Sequence, residues 1–398
     1  MIQIREGREE DRPSLTKVLW RAFEATRSLE DVEKEEWLGK WNRPEDNDYA
    51  YVAVENDKVV ANLSFFVTTD KDDIIRGRPV PFAGIWAVAT DPAYRKQGLV
   101  RMLFKEAFPR MKQEGVVLSI LDPFYRAFYE KFDFALGEKR AKHVFTKNDL
   151  RVGIVNPKVT YREAKAPDDI SKIQEIERTM SRFGSRYFSI VREIEDHINR
   201  GNFFIFEKNG RPVGTIMFVF DATHPGYNLT IGFTRYTSSD VFPSIVELVS
   251  KYAVNTAKMT WYTDYEIPVR HFFDSYSRTE SHILGSMMMR VIDFEAYCRS
   301  IAISSAITEA LTIRLDDELC PWNSGIYTLI PDNGSLDVER SKMEPDIHLN
   351  AFQLSKVISG VSPATLLHGL NEINCSIETA RKLEAIWPAD NFVSYIRF

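Results

Sequence analysis

The sequence predicts an α/β (α+β) chain built as two copies of one mixed domain followed by a smaller α+β domain, with divisions at 1–148, 149–287 and 288–398. Three observations point there. A strand, helix and hairpin order at the N-terminus recurs from Tyr161, the second copy lacks a basic glycine-containing motif that the first carries, and the texture changes again near Met289. A length of 398 residues is itself too great for one ordinary core.

In the first copy a short strand over 2–5 leads to Asp11, a cap for a helix starting near Pro13. Leu15, Val18, Leu19, Ala22 and Phe23 recur at three- and four-residue spacing and give that helix one apolar face. The β-prone runs 51–54 and 59–66 flank Glu55-Asn56-Asp57-Lys58, which reads as a hairpin turn because Asn and Asp tolerate positive φ. A third strand covers 81–89, a helix over 98–114 stops at Gly115, and a fourth strand covers 116–121.

In the second copy Tyr161-Arg162-Glu163, followed by Asp168, matches Ile4-Arg5-Glu6, followed by Asp11. The turn Asn209-Gly210 and its strand to 219 mirror the first hairpin. Segment 231–238 has no Arg-x-x-Gly, so this copy is predicted to keep the fold without the site. The third part opens at Val291-Ile292-Asp293-Phe294 and carries strands near 311–315 and 324–330, then helices near 350–358 and 378–387.

Composition narrows the function classes. Apolar residues make up 44%, charged residues 27%, and the net charge is −6, which describes a soluble globular chain without the basic surplus of a nucleic-acid reader. No apolar run approaches a membrane span, and the N-terminus turns charged at once, so a cytoplasmic protein with no membrane partner is expected. Three widely spaced cysteines and seven scattered histidines give neither a disulfide framework nor a metal site, and no metal is expected.

The chemistry concentrates in 83–101, read as strand, tight loop and helix. A helix start offers N–H groups without internal partners and the positive end of the dipole, which together suit a pyrophosphate. Arg95 and Lys96 add charge, Gly98 permits close approach of the backbone, and Leu99 and Val100 begin the helix. Ala87, Val88 and Thr90, on the end of the strand, offer backbone groups to an amide-bearing linear arm. Neither GxxxxGK[ST] nor GxGxxG is present, which sets nucleotide P-loops and dinucleotide folds aside.

This passage resembles the coenzyme A motif of the GNAT acetyltransferases, with Arg95 and Gly98 in register and Val100 replacing the usual small residue. Downstream, Phe124-Tyr125-Arg126-Ala127-Phe128-Tyr129-Glu130-Lys131-Phe132-Asp133 resembles the Phe-Tyr-Arg-Lys-Phe-Gly pattern of Eis-like (enhanced intracellular survival) N-acetyltransferases, Asp133 replacing the Gly. Read as one helix, the segment puts Tyr125 and Tyr129 on the same side and does not separate them; the family register selects Tyr129 as the general acid.

The resemblance implies tandem GNAT domains, the second degenerate, then a sterol-carrier-protein-like domain. Met289-Arg290-Val291-Ile292-Asp293, Cys320-Pro321-Trp322-Asn323-Ser324-Gly325 and Glu344-Pro345-Asp346-Ile347 resemble landmarks of that third domain. It further implies acetyl-CoA as acetyl donor, the terminal carboxylate of Phe398 as general base, and Phe23, Glu24 and Trp37 at the acceptor edge. The implied partners are a small-molecule or protein amine, such as an aminoglycoside-like polyamine or a protein lysine, and further copies of the chain in a homo-oligomer, by resemblance a hexamer. The competing expectations are a binding protein with a vestigial GNAT fold and a transferase of longer acyl groups.

Overall fold

Asn56 and Asp57 adopt φ of 50° and 58° and turn the chain between strands β2 (Asp48–Glu55) and β3 (Lys58–Val67), as their side chains predict. This hairpin lies in a seven-stranded sheet together with β1 (Gln3–Glu6), β4 (Phe82–Thr90), β5 (Leu118–Leu121), and the segments Met288–Val291 and Ala135–Leu136. The computed structural model describes residues 1–33, 42, 47–68, 74–180, 195, 197–222, 226–265, 267–275, 278–285 and 287–389. These fall into two units, one of 1–137 with 287–389 and one of 138–285.

Helix α1 (Arg12–Leu19) buries Leu15, Val18 and Leu19 of the face read from their spacing, whereas Ala22 and Phe23 fall in the wider turn Trp20–Glu24 and Phe23 is 54% exposed. Asp11 precedes it without capping it. Its carboxylate instead accepts both terminal nitrogens of Arg5 at 2.7 and 2.8 Å and the Arg8 N–H at 2.8 Å, a charge-assisted set that outcompetes a neutral cap bond. Helix α2 (Leu99–Gln113) packs Leu99, Leu103, Phe104, Ala107, Phe108 and Met111 into the core. It ends where Gly115, at φ 76°, lets the Val116 N–H reach the Met111 carbonyl at 3.0 Å.

The second unit repeats this plan. Its sheet runs Val159–Glu163, Phe203–Lys208, Arg211–Ala222, Tyr227–Tyr236, Thr256–Asp264, Lys139–Phe145, Glu280–Gly285. The counterpart of Asp11 is Asp169 rather than the expected Asp168. Asp169 takes Arg162 in the same two-bond grip, at 2.6 and 2.9 Å, and the Lys165 N–H at 2.8 Å. The extra residue in the loop shifts the match by one.

The second copy has a bulge of its own. Phe233 holds φ 46° within a register shift of Tyr227–Tyr236, but Trp261 Nε1 donates to Thr234 Oγ1 at 2.8 Å beside it, and the buried Arg235 donates to the Thr234 carbonyl. The turn before helix Phe242–Tyr252 carries Asp240, which pairs with Lys208 Nζ at 2.6 Å.

His143, on Lys139–Phe145, is buried with Nδ1 2.9 Å from Ser281 Oγ; desolvation first, and then the charge of Arg270, lowers its pKa to about 4. The unfolded chain takes this proton near pH 6.5 and the folded unit only near 4. Between these values the unfolded state binds more protons, so the unit loses stability as pH falls, by up to about 3 kcal/mol. Thermal melts of wild type and His143→Gln across that window check this; the variant is expected to show the flatter profile.

The C-terminal part, within the first unit, is a four-stranded sheet ordered Ser335–Arg340, Gly325–Asp332, Leu311–Asp316, Ile347–Asn350. Helices Phe294–Ser300, Ala351–Ser359, Ala364–Gly369 and Ile377–Ile386 accompany it. Met288–Val291 does not open this sheet. It pairs with β5 of the N-terminal sheet, where all four of its residues are buried, Arg290 among them. Arg76, in the turn of the short hairpin Ile74–Ile75 and Arg78–Pro79, donates to the Ile358 carbonyl at 2.8 Å and the Pro388 carbonyl at 3.3 Å. The chain is thus tied to the N-terminal domain as far as Pro388. Among the described residues no helix is long and apolar enough to cross a membrane.

Candidate active site

The site begins with a parting of two strands. β4 runs parallel to β5 from Phe82 opposite Leu118 to Ile85 opposite Leu121, and there the ladder ends. On its other edge β4 shifts register against β3: Trp86 faces Ser64, whereas Ala89 faces Asn62. The extra residue is a bulge, with Ala87 at φ 51° and its carbonyl fixed by Asn62 Nδ2 at 2.8 Å. A bulge bends its strand, and the bend carries Val88, Ala89 and Thr90 onto the wall of a cavity of about 770 Å³.

The loop after β4 is braced from several sides. Asp91 accepts the Ala93 N–H at 3.0 Å and pairs with Arg21, Tyr94 Oη donates to Glu55 at 2.8 Å, and Arg95 Nε reaches the Thr90 carbonyl at 3.4 Å. Lys96 and Gly98 both take positive φ, 64° and 76°. Such alternation turns backbone N–H groups toward one concave face, and Gly98 leads into α2 without a side-chain cap to occupy them. The cavity lining here is Tyr94 to Arg101, with Lys131. Four cations, Arg95, Lys96, Arg101 and Lys131, line it, Arg101 being paired with Glu318 at 2.8 Å, and no carboxylate is in the lining among the described residues. Such a lining suits an anion.

The remaining wall is apolar: Ala22 and Phe23 on one side, Phe124, Phe128 and Phe132 on the other. The segment that supplies the aromatics is not one helix. Tyr125 is extended at φ −151° and helix α3 (Arg126–Tyr129) starts after it, followed by a 3-10 turn to Phe132. The two tyrosines therefore do not share a side: Tyr125 is 64% exposed, whereas Tyr129 is 4% exposed. Tyr129 lies behind the wall, edge-on to Phe128 at 5.1 Å and to Phe124 at 5.7 Å. Burial, and secondarily the charge of Asp122, raises its phenol well above the ordinary value. Asp133 holds φ 65° where the family pattern has Gly, a conformation Asp adopts at little cost.

Of the residues singled out in the sequence, Val88, Thr90, Arg95, Lys96, Gly98, Leu99, Val100 and Phe23 line the cavity. Ala87 shapes it through the bulge. Glu24 is absent from the lining and sits 3.6 Å from Arg27. Trp37 and Phe398 lie outside the described residues. Arg101 and Lys131 were missed, although Arg101, one helical turn past Gly98, could have been found by projecting the helix start.

Residues 3–137 match the acetyltransferase (GNAT) domain family, and residues 294–393 match the sterol carrier protein domain family. No curated protein sequence matches the chain. Among solved structures, a conserved protein of unknown function from Enterococcus faecalis, described as a probable N-acyltransferase, superposes over 100% of both chains with a TM-score of 0.84 at 17% identity. A GCN5-related N-acetyltransferase from Kribbella flavida does so over 100% of this chain and 98% of its own, with a TM-score of 0.79 at 20% identity. Eis1 from Mycobacterium abscessus covers 100% of both chains, with a TM-score of 0.78 at 14% identity. These likenesses show a shared fold.

Proposed function

We propose that this chain, whose N-terminal domain belongs to the GNAT acetyltransferases and whose fold is Eis-like, transfers acetyl from acetyl-CoA to a primary amine by direct attack. The observation that carries the reading is one cavity with a cationic, N–H-rich end at Arg95 to Arg101 and an aromatic end at Phe124 to Phe132. The first end suits a pyrophosphate and the opened edge of β4 a pantetheine arm; the aromatic end excludes water from a thioester.

In the reaction a C–N bond forms, the C–S bond breaks, the amine loses a proton and the thiolate gains one. Tyr129 supplies the latter, since its raised phenol stays protonated across the working range. The carboxylate of Phe398 accepts the former. Support for that role comes from the family resemblance. Extending the chain by one residue past Phe398 is expected to lower kcat at least about tenfold; a near-wild-type rate in a thiol-release assay contradicts the assignment. The acceptors proposed are an aminoglycoside-like polyamine or a protein lysine.

A second reading, a coenzyme A-binding protein without turnover, draws on Tyr129 standing behind Phe124 and Phe128 rather than in the cavity wall. Calorimetry with coenzyme A alongside thiol release separates the two: binding with no amine-dependent release favours the second.

A further inference from the structure

Tyr129 ends a helix of four residues, too short to hold itself, so its position is set by what grips the turn behind it. That turn closes on Tyr129 directly: the Phe134 N–H donates to the Tyr129 carbonyl at 3.3 Å and the Asp133 N–H to the Glu130 carbonyl at 3.1 Å. Arg290, fully buried, then clasps it from outside. Its Nη1 donates to the Phe132 carbonyl at 2.7 Å and to Asp133 at 2.9 Å, and its guanidinium lies 4.6 Å over the Phe108 ring of α2.

Arg290 is held in its turn by Asp317 of the C-terminal domain, through Nη2 at 2.5 Å. The aspartate is itself fixed. Oδ1 also accepts the Cys320 N–H at 2.8 Å, and Oδ2 accepts Asn323 Nδ2 at 3.1 Å. The next residue makes a parallel contact: Glu318 pairs with Arg101 Nη2 at 2.8 Å, while Arg101 Nη1 donates to the Lys131 carbonyl in the same turn at 3.1 Å. Two adjacent acidic residues of the C-terminal domain thus reach the turn behind Tyr129 and the first turn of the anion-binding helix.

We propose that Asp317, acting through Arg290, is a positioning residue for Tyr129, so that the C-terminal domain sets the geometry of proton donation. This rests on the reading of Tyr129 as the acid. A residue that acts through Tyr129 has nothing left to position once the phenol is gone, whereas a residue that only stabilises the fold weakens every background alike.

The test is a double-mutant cycle in the full chain, read by amine-dependent thiol release and by coenzyme A calorimetry. Asp317→Asn is expected to lower kcat about tenfold with coenzyme A affinity held within about twofold, and to add less than about a twofold loss in a Tyr129→Phe background. Should Asp317→Asn fail to fold, Asp133→Gly serves, because Gly accepts the φ of 65° at that position. It is expected to lose about threefold, again only when Tyr129 is present. Multiplicative losses in the double variants, or unchanged kcat in the single ones, overturn the inference while leaving acetyl transfer standing. If wild type releases no thiol, or Tyr129→Phe matches it, the acid assignment itself fails and takes this inference with it.

Discussion

Tyr129→Phe is expected to lower kcat by roughly 10²–10³-fold while leaving coenzyme A affinity unchanged within about twofold. The substitution keeps the ring, and the ring carries the packing against Phe124, Phe128 and Phe134. Only the hydroxyl is lost, which confines the effect to the proton. The thiolate then leaves without a donor. The pH profile supplies an independent check. Because burial raises the phenol above its reference of 10.0, its deprotonation imposes no falling limb on kcat below about pH 10. The rate is expected to rise as the amine acceptor deprotonates and then level off. A falling limb centred between pH 7 and 9 points to another acid.

The second large effect is at the other end of the cavity. Reversing both Arg95 and Lys96 to Glu is expected to weaken coenzyme A binding by about 100-fold or more, since a charge-assisted bond to phosphate contributes about 1.5–3 kcal/mol. Both side chains are exposed on the cavity lip, so the fold tolerates the change. The loss should grow as salt is lowered, because repulsion between exposed charges is screened over about 10 Å at 0.1 M. At saturating acetyl-CoA, kcat is expected to recover most of its wild-type value. Calorimetry at two ionic strengths and a kcat and KM pair measure this; unchanged affinity removes the phosphate site from the Arg95–Arg101 loop.

Much of this site was legible because its signals are local. The Arg95 to Gly98 motif, the Asn56-Asp57 turn and the Gly115 stop each depend on residues within a few positions of one another, and all stand where the sequence put them. Features that depend on register or on distant partners were not. The bulge at Ala87 exists only through pairing with β3, and nothing in Ala87-Val88-Ala89 announces it. Asp11 reads as a helix cap because its partner Arg5 is set by the fold, and Asp168 reads as its match because the extra loop residue before Asp169 carries no sequence signal.

The break before Arg126 was hidden by treating the aromatic run as continuous helix, which left Tyr125 and Tyr129 equivalent when the fold separates them by burial. Arg290, which the sequence offers only as part of a domain landmark, also acts at long range. Its contacts to Asp133, 157 positions away, and to Asp317, 27 positions away, need the sheet that Met288–Val291 completes.

Amine-dependent thiol release from acetyl-CoA, run on wild type, Tyr129→Phe and the Arg95→Glu, Lys96→Glu double variant with a panel of mono- and polyamines, tests the central claim most directly. Saturable release by wild type, lost in kcat for the tyrosine variant and in KM for the charge reversal, is the predicted result. Tight coenzyme A binding by wild type with no release above the amine-free rate, for any acceptor, contradicts it.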